Sequence, residues 1–319
     1  MRKLRMVLVG ALAVAAIAPG VATAKTYRTT FEMPQLTPTR VWSETSGLPF
    51  LFKFGPTYRY RFGANTWVGT WAGASVGRKS ATAALNEVWK DANRYALFNY
   101  GVIVDRKLTA VEAQRFKIAA DLYRDADVLV VATGHPACAG LTRAQARGIA
   151  TGAITRWSQV VAGAAVDPIK VRYLTDGSGT GVPHLGTRWV GTLNRQRVNY
   201  AAGGVGAFDG GVGLAASGDQ AVAAITTWSR VRFRAAGVCV VPLDGIAPDN
   251  ATVASLQYPE AFPVAFVLPR KVPGRTALAR AGNAVERRAM TVMLNSAKAK
   301  AVLRQRGLLV VGDPPPPGV

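Results

Sequence analysis

Apolar and polar residues alternate along Pro168-Ile169-Lys170-Val171-Arg172-Tyr173-Leu174, the two-residue period of a β-strand. Glycines and hydroxyls follow in Asp176-Gly177-Ser178-Gly179-Thr180, and residues 182–193 read as a helix. Comparable switches of period recur along the chain. Ala84, Leu85, Val88 and Trp89 have helical spacing within 73–93, and 97–104 reads as a strand. Thr109 opens a further helix, with Glu112 three residues on to complete a capping box. Residues 127–133 form an uninterrupted Val/Leu run, as in a strand buried within a parallel sheet. Thr142 is placed to cap a helix that runs to about Thr151 and closes at Gly152. Residues 220–228 read as a helix, 237–242 as a buried strand and 276–306 as one long helix ending at Gly307. Six glycines among the eleven residues 203–213 predict a mobile loop. In the aromatic-rich segment 25–72, residues 39–42 suit a strand and 48–54 a short helix. Strands alternating with helices give an α/β protein with largely parallel sheets.

The ends of the chain obey other rules. Arg2, Lys3 and Arg5 precede an apolar stretch and Ala22-Thr23-Ala24, the layout of a signal peptide over residues 1–24. The apolar stretch is broken by Pro19-Gly20 and no second long apolar run follows, so a membrane-spanning protein is not expected. The absence of a cysteine at the cut argues against a lipid anchor, and the expected location is periplasmic or secreted. The proline-rich tail, 313–319, packs into neither helix nor sheet and is expected to be disordered.

Without its leader the chain has 295 residues, enough for two lobes. The 39 Lys and Arg fall to 36 against 18 Asp and Glu, a formal charge of +18. That balance attracts anions of every kind, nucleic acid and anionic wall polymers included, although the basic residues are dispersed rather than gathered into tracts. Cys138 and Cys239, the only cysteines, are available to pair in an oxidising compartment. His135 and His184 stand alone, each suiting a structural or surface role, and no Cys/His spacing suggests a metal.

The 176–180 loop carries the chemistry. At a helix start the backbone N–H groups are unpaired and the helix dipole favours negative charge. Gly177 and Gly179 let the backbone approach an anion, and the Ser178 and Thr180 hydroxyls add donors. The Asp176 carboxylate accepts a hydrogen bond from a protonated oxyanion such as hydrogen phosphate, but repels sulfate. The loop does not form a Gly-x-Ser-x-Gly nucleophile elbow, because Asp176 stands where the first glycine belongs. Neither a base beside Ser178 nor a metal set is evident, so enzymatic activity, a phosphatase for instance, is not expected; nor is a cofactor.

Several segments, in order, resemble the phosphate-binding family of periplasmic substrate-binding proteins that serve ABC transporters. Leu141-Thr142-Arg143-Ala144-Gln145 and Gly152-Ala153-Ile154-Thr155-Arg156-Trp157 resemble its "Leu-Thr-x-x-Gln … Gly-x-Ile-x-x-Trp" segment. Strand 168–174 with the 176–180 loop stands where that family holds its oxyanion. Gly245-Ile246-Ala247-Pro248 and Tyr258-Pro259 resemble a later connector, and 101–108 a segment that places an Asp in the cleft. The likeness is good over 97–310 and poor over 25–72. It implies a type 2 periplasmic-binding-protein fold: two lobes, each a mostly parallel sheet flanked by helices, with ligand in the cleft between them and hinge closure on binding. Lobe one would comprise 25–133 and 245–312, lobe two 134–244, with hinges near 133–139 and 241–245. The implied ligand is inorganic phosphate or a similar oxyanion, held by a monomer that delivers it to an ABC permease. Carried over by position, Asp176, Ser178, Gly179 and Thr180 contact the anion from lobe two. Asp105, Ser75 and Thr45 do so from lobe one. One departure matters: Leu174 occupies a position where the family often has an Arg. Arg172, on the same strand face, and Arg106 are the candidate replacements. The alternative is a secreted basic protein of the same fold that binds polyanions or a surface partner without transport.

Overall fold

The computed structural model describes residues 26–32, 36–37, 58–62, 65–72, 77–78, 81–94, 101–173, 210–231, 236–271, 277–305 and 307–312. Its organising element is a 17-residue strand, β7 (Phe116–Ala132). The first half of β7 alternates between buried and exposed residues, whereas every residue from Asp125 onward is buried. The change follows its neighbours. Phe116 to Ala126 pair antiparallel with β11 (Ala261–Pro269), while 127–130 pair with β9 (Val222–Thr227) and 130–132 with β10 (Val238–Val240). β8 (Lys170–Tyr173) lies parallel to β9, and β6 (Val102–Val104) antiparallel to β11. β2 (Leu36–Thr37) runs parallel to both β5 (Gly77–Arg78) and β6. β1 (Thr26–Glu32), β3 (Tyr58–Phe62) and β4 (Asn65–Ala72) make a separate three-stranded sheet.

The sheets are mixed, with more antiparallel pairing than the apolar runs predict. A run buried on both faces records only that neighbours cover it and is silent about their direction. The direction is set by β7 and β11, which traverse the molecule in opposite senses.

One core gathers Trp157, Ile149, Leu129 and Ile225 around the second half of β7. The rest of the apolar interior lies on the two faces of the β6–β11–β7 sheet. Phe262, Val264, Phe266 and Leu268 of β11 face α7 (Ala277–Leu294) and α8 (Ala297–Gln305). The intervening Ala265 and Val267 face Leu85 and Val88 of α1 (Ala81–Arg94). This period of two lets one strand serve two helical layers.

Several local expectations hold in detail. Thr109 and Glu112 form the capping box of α2 (Ala110–Arg115). Thr142 and Gln145 form that of α3 (Arg143–Thr151), which Gly152 ends at φ 72°. Others need correction. The segment read as a helix over 220–228 is largely strand β9, buried at all six positions, where Val222, Ile225, Thr226 and Thr227 supply β-branched bulk. Alanines at 223 and 224 suggested a helix, but a place between two strands decided otherwise. The glycine run does not stay a loop throughout, since residues 210–213 open α4 (Gly210–Ala216), with Val212 and Ala215 packed into the core. The long C-terminal helix is two helices, because Ser296 turns its hydroxyl to the Ala299 N–H, 3.2 Å away, and starts α8. The expected elements at 39–42, 48–54 and 182–193 lie outside the described residues, as do the leader and the tail.

Two contacts fasten the chain where β11 leaves the first core. The Glu260 carboxylate, fully buried, accepts from Arg143 Nε and from Arg147 Nη2, the latter at 3.1 Å. Leu243 and Ile246 exchange both backbone hydrogen bonds across Asp244-Gly245. Both turn residues have positive φ, 50° and 77°, as a two-residue hairpin turn requires, and the Asp244 carboxylate accepts from the Arg143 N–H at 2.9 Å.

The two cysteines are close neighbours despite their separation in sequence. Cys138 lies in the turn Pro136–Ala139, its thiol 3.7 Å from the carbonyl of Ala132, whose partner across the ladder is Val238. Cys239 follows on β10, and burial together with a hydrogen bond to Cys138 pushes its thiol up to about 12. Both are free thiols.

Two outcomes are expected. Replacing Arg143 and Arg147 together by Ala strands a buried carboxylate and costs about 3–5 kcal/mol in urea titration, more than Glu260→Gln, which removes the charge itself. Oxidised glutathione, reduced to two thiols as Cys138 and Cys239 each give up a proton and an electron, should remove both from thiol titration without making a dimer. An unchanged thiol count after long exposure at alkaline pH would show that the pair does not close.

Candidate functional site

β6 starts at a close crossing. A Cβ on Gly101 would sit 1.8 Å from the Phe266 ring, so only glycine lets β6 lie against β11 there. Val102, Ile103 and Val104 are buried, and the chain emerges at Asp105 and Arg106, both half-buried. Asp105 lies near enough to stabilise the charge of Arg106.

Arg106 is held on several sides. Its two terminal nitrogens donate to the Glu112 oxygens at 2.7 and 2.6 Å, the fork-to-fork geometry that suits a guanidinium and a carboxylate. Nη2 also donates to the Thr82 hydroxyl at 2.8 Å, which fastens the loop to the first turn of α1. Glu112 meanwhile accepts from the Thr109 N–H at 2.8 Å. The Arg106 hydrogen bonds hold the Glu112 carboxyl down to about 2, against the cost of burial, and the same contact raises Arg106. As placed, Arg106 braces the loop that presents Asp105, and its fork is occupied. The capping box is visible in the sequence; the use of the same Glu112 to bind Arg106 is not, because the two are joined only after the loop has turned.

Arg172 is on β8, one strand beyond β9 from β7 and so on the other core. It is half-buried, and Val171 beside it points into the core. β8 is described as far as Tyr173, three residues before Asp176 in the sequence. Asp176, Ser178, Gly179 and Thr180 lie outside the described residues, as do Leu174, Ser75 and Thr45. Of the candidate residues the structure therefore describes Asp105, which follows β6 on one core, Arg106 beside it, and Arg172, which lies on β8 on the other.

His135 is structural. It is buried, its Nδ1 accepts from the Ala137 N–H at 3.1 Å, and its ring lies 4.2 Å from that of Trp157. Burial lowers its pKa, so it stays neutral near pH 7. His184 lies outside the described residues. Among the described residues no three His, Cys, Asp or Glu side chains gather as metal ligands, and no helix is long and apolar enough to cross a membrane.

The fold is shared with solved phosphate-binding proteins. A possible phosphate binding protein from Planctomyces limnophilus aligns over 91% of this chain and 94% of its own, with a TM-score of 0.59 and 14% identity. An ABC-type phosphate transport receptor from Vibrio cholerae covers 89% of this chain and 99% of its own, with a TM-score of 0.53 and 17% identity. PstS from Borrelia burgdorferi covers 90% and 98%, with a TM-score of 0.51 and 13% identity. No family model and no curated protein sequence matches the chain. At these identities the likeness establishes architecture, the two-lobe mixed α/β fold of periplasmic binding proteins.

The Arg106–Glu112 pair has a pH signature. A carboxyl held below its unfolded value contributes stability that is complete above about pH 4.5 and is lost as pH falls toward about 2. Glu112→Gln should remove that part of the pH dependence, on the order of 2 kcal/mol, from the difference between wild-type and variant urea titrations. Parallel curves across this window would mean that the pair contributes nothing.

Proposed function

We propose that this chain is an exported solute-binding protein that captures phosphate, or a related protonated oxyanion, between its two lobes and hands it to an ABC-type permease. What supports the reading is a sequence motif within a shared fold: the fold is that of phosphate-binding proteins over about nine-tenths of the chain, and Asp176-Gly177-Ser178-Gly179-Thr180 begins three residues after Tyr173, the last described residue of β8. Asp105 enters from the other core at the end of β6.

The chemistry of these residues suits capture rather than conversion. Backbone N–H groups and two hydroxyls donate to the anion, while Asp176 accepts from its remaining proton. A fully deprotonated tetrahedral anion meets a carboxylate with no hydrogen to share, which separates phosphate from sulfate by hydrogen-bond polarity rather than size. Arg172, on β8, is the guanidinium nearest along the chain to the loop. We assign it the anchoring role. In this reading Ser75 and Thr45 complete the donors from lobe one. The charge of +18 favours the other reading, a secreted protein of this fold that holds polyanions, so the decisive experiment must vary salt.

Calorimetric titration of the refolded, ligand-free mature protein with phosphate and with sulfate, at two salt concentrations, separates these readings. The expected result is one-to-one phosphate binding in the micromolar range or tighter, with sulfate excluded and modest dependence on salt. Asp176→Ala or Ser178→Ala should abolish it, and Arg172→Ala should weaken it at least about tenfold, as loss of a charged hydrogen-bond partner does. Absence of saturable phosphate binding, with salt-sensitive binding to DNA or to an acidic polymer, would overturn the proposal in favour of the polyanion reading.

A further inference from the structure

Among the described residues, a cavity of about 620 Å³ is lined by neither Asp105 nor Arg172. It opens between the loop that follows β6 and the ladder formed by β7 and β11. Its floor is apolar. Phe116 and Ile118 come from β7 and Pro263 from β11, while Leu108 and Leu256 close the sides. Ile118 is 58% exposed, unusual for a large aliphatic residue on a central strand.

The rim is cationic, and its charges fall into two groups. Arg106 is matched by Glu112, and Arg124 by the Asp121 carboxylate, which takes both of its terminal nitrogens at 2.5 and 2.7 Å. Lys107, Lys117 and Arg270 also line the cavity, and among the described residues none of them is in an ion pair. Lys107 and Lys117 are exposed, and Arg270 spends only its Nε, on the carbonyl of Ala113. With Asp105 beside Arg106, five cations therefore face three carboxylates, leaving a surplus of two around an apolar floor.

We propose that this cavity is a second binding site, for an organic anion that carries an apolar group and at least two negative charges, such as an aryl or acyl phosphate. The size is that of a small-molecule pocket, 300–1,000 Å³ in general, and far exceeds the need of a single inorganic tetrahedral anion. The apolar floor offers an inorganic ion nothing, but it shelters an aryl ring or short acyl chain from water. The surplus cations lie at the mouth, where they meet the charged end while the body lies against Phe116, Ile118 and Pro263. Flexible lysines hold a charge without fixing its geometry, so the site selects for charge and apolar bulk rather than for one headgroup.

The probe is 1-naphthyl phosphate, titrated by fluorescence into the full mature protein in the presence of saturating inorganic phosphate. The expected result is one-to-one binding that persists under phosphate, weakens with salt, and is several-fold weaker for the uncharged 1-naphthol. Lys107→Ala combined with Lys117→Ala should weaken it about three- to tenfold, the effect of two exposed ion pairs. Ile118→Ser should weaken it independently. All three residues are solvent-facing, so the melting temperature of each variant checks that the fold is intact. Two results would overturn the proposal: no saturable binding, or binding that inorganic phosphate displaces, that Ser178→Ala abolishes and that the lysine variant leaves unchanged. The latter pattern would place the probe in the interlobe cleft. Because phosphate is present throughout, failure here is distinct from failure of the phosphate-receptor reading.

Discussion

β7 is bound into two sets of apolar contacts at once, and most of the molecule is arranged to permit that. Its first half packs Ala120, Leu122 and Tyr123 with the α7 and α8 core and leaves Lys117 and Ile118 exposed, so buried and exposed residues mix; its second half has neighbours on every side, so they do not. The changeover falls at Asp125, where a carboxylate is buried at 2% exposure. Burial of this kind is tolerable only with full hydrogen bonding. Asp125 accepts from its neighbour's N–H at 2.8 Å, from the Ser229 N–H at 3.0 Å and from the Ser229 hydroxyl at 2.7 Å. The same crossing holds Glu260, whose carbonyl accepts from the Asp127 N–H and whose side chain is gripped by α3. Three buried carboxylates, Asp125 and Asp127 on β7 and Glu260 immediately before β11, thus mark where the chain passes between cores. A slip of β7 by one residue would move both its apolar faces and these carboxylates out of place.

Site residues inherit their positions from that framework. β6 hangs from β11 and β8 from β9, so Asp105 and Arg172 belong to different cores that share only the long strands. The chain presents its acidic residue and its basic residue on opposite sides of the crossing without any direct covalent or helical connection between them. The Arg106–Glu112–Thr82 cluster keeps one side of that arrangement stiff by tying the Asp105 loop to α1.

Much of the local structure was legible in the sequence because its causes are local. Capping boxes at Thr109 and Thr142 need only a hydroxyl and an acceptor three residues apart, and Gly152 needs only its lack of a side chain. The run at 127–133 was legible as buried for the same reason. Where the cause was distant, the sequence was mute or misleading. Residues 222–227 carry alanines that fit a helix, and only their place between β7 and β8 makes them a strand. Strand direction was likewise hidden, since apolar burial is the same whether a neighbour runs up or down. Of the candidate site, the end of strand β6 before Asp105 was legible, but the occupation of Arg106 by Glu112 depends on a fold-back of six residues that no motif announces. Residues 174–180 lie outside the described structure and rest on sequence alone.

Charge shows why counting residues is a poor guide to binding. A formal +21 creates an attractive field for any anion, which raises encounter rates and falls with salt, but it does not distinguish one anion from another. Several of the cations near the described frame are already spent: Arg106 on Glu112, Arg124 on Asp121, Arg143 and Arg147 on Glu260. Their charge remains in the total while their donors are engaged. Discrimination must therefore come from groups whose hydrogen bonds are still to be made and whose polarity matches one ligand. An acidic residue serves this better than a further arginine would, because it repels every anion except one that carries a proton to share. Under the proposed function a strongly basic surface would gather anions of every kind, and the Asp176 carboxylate would select among them.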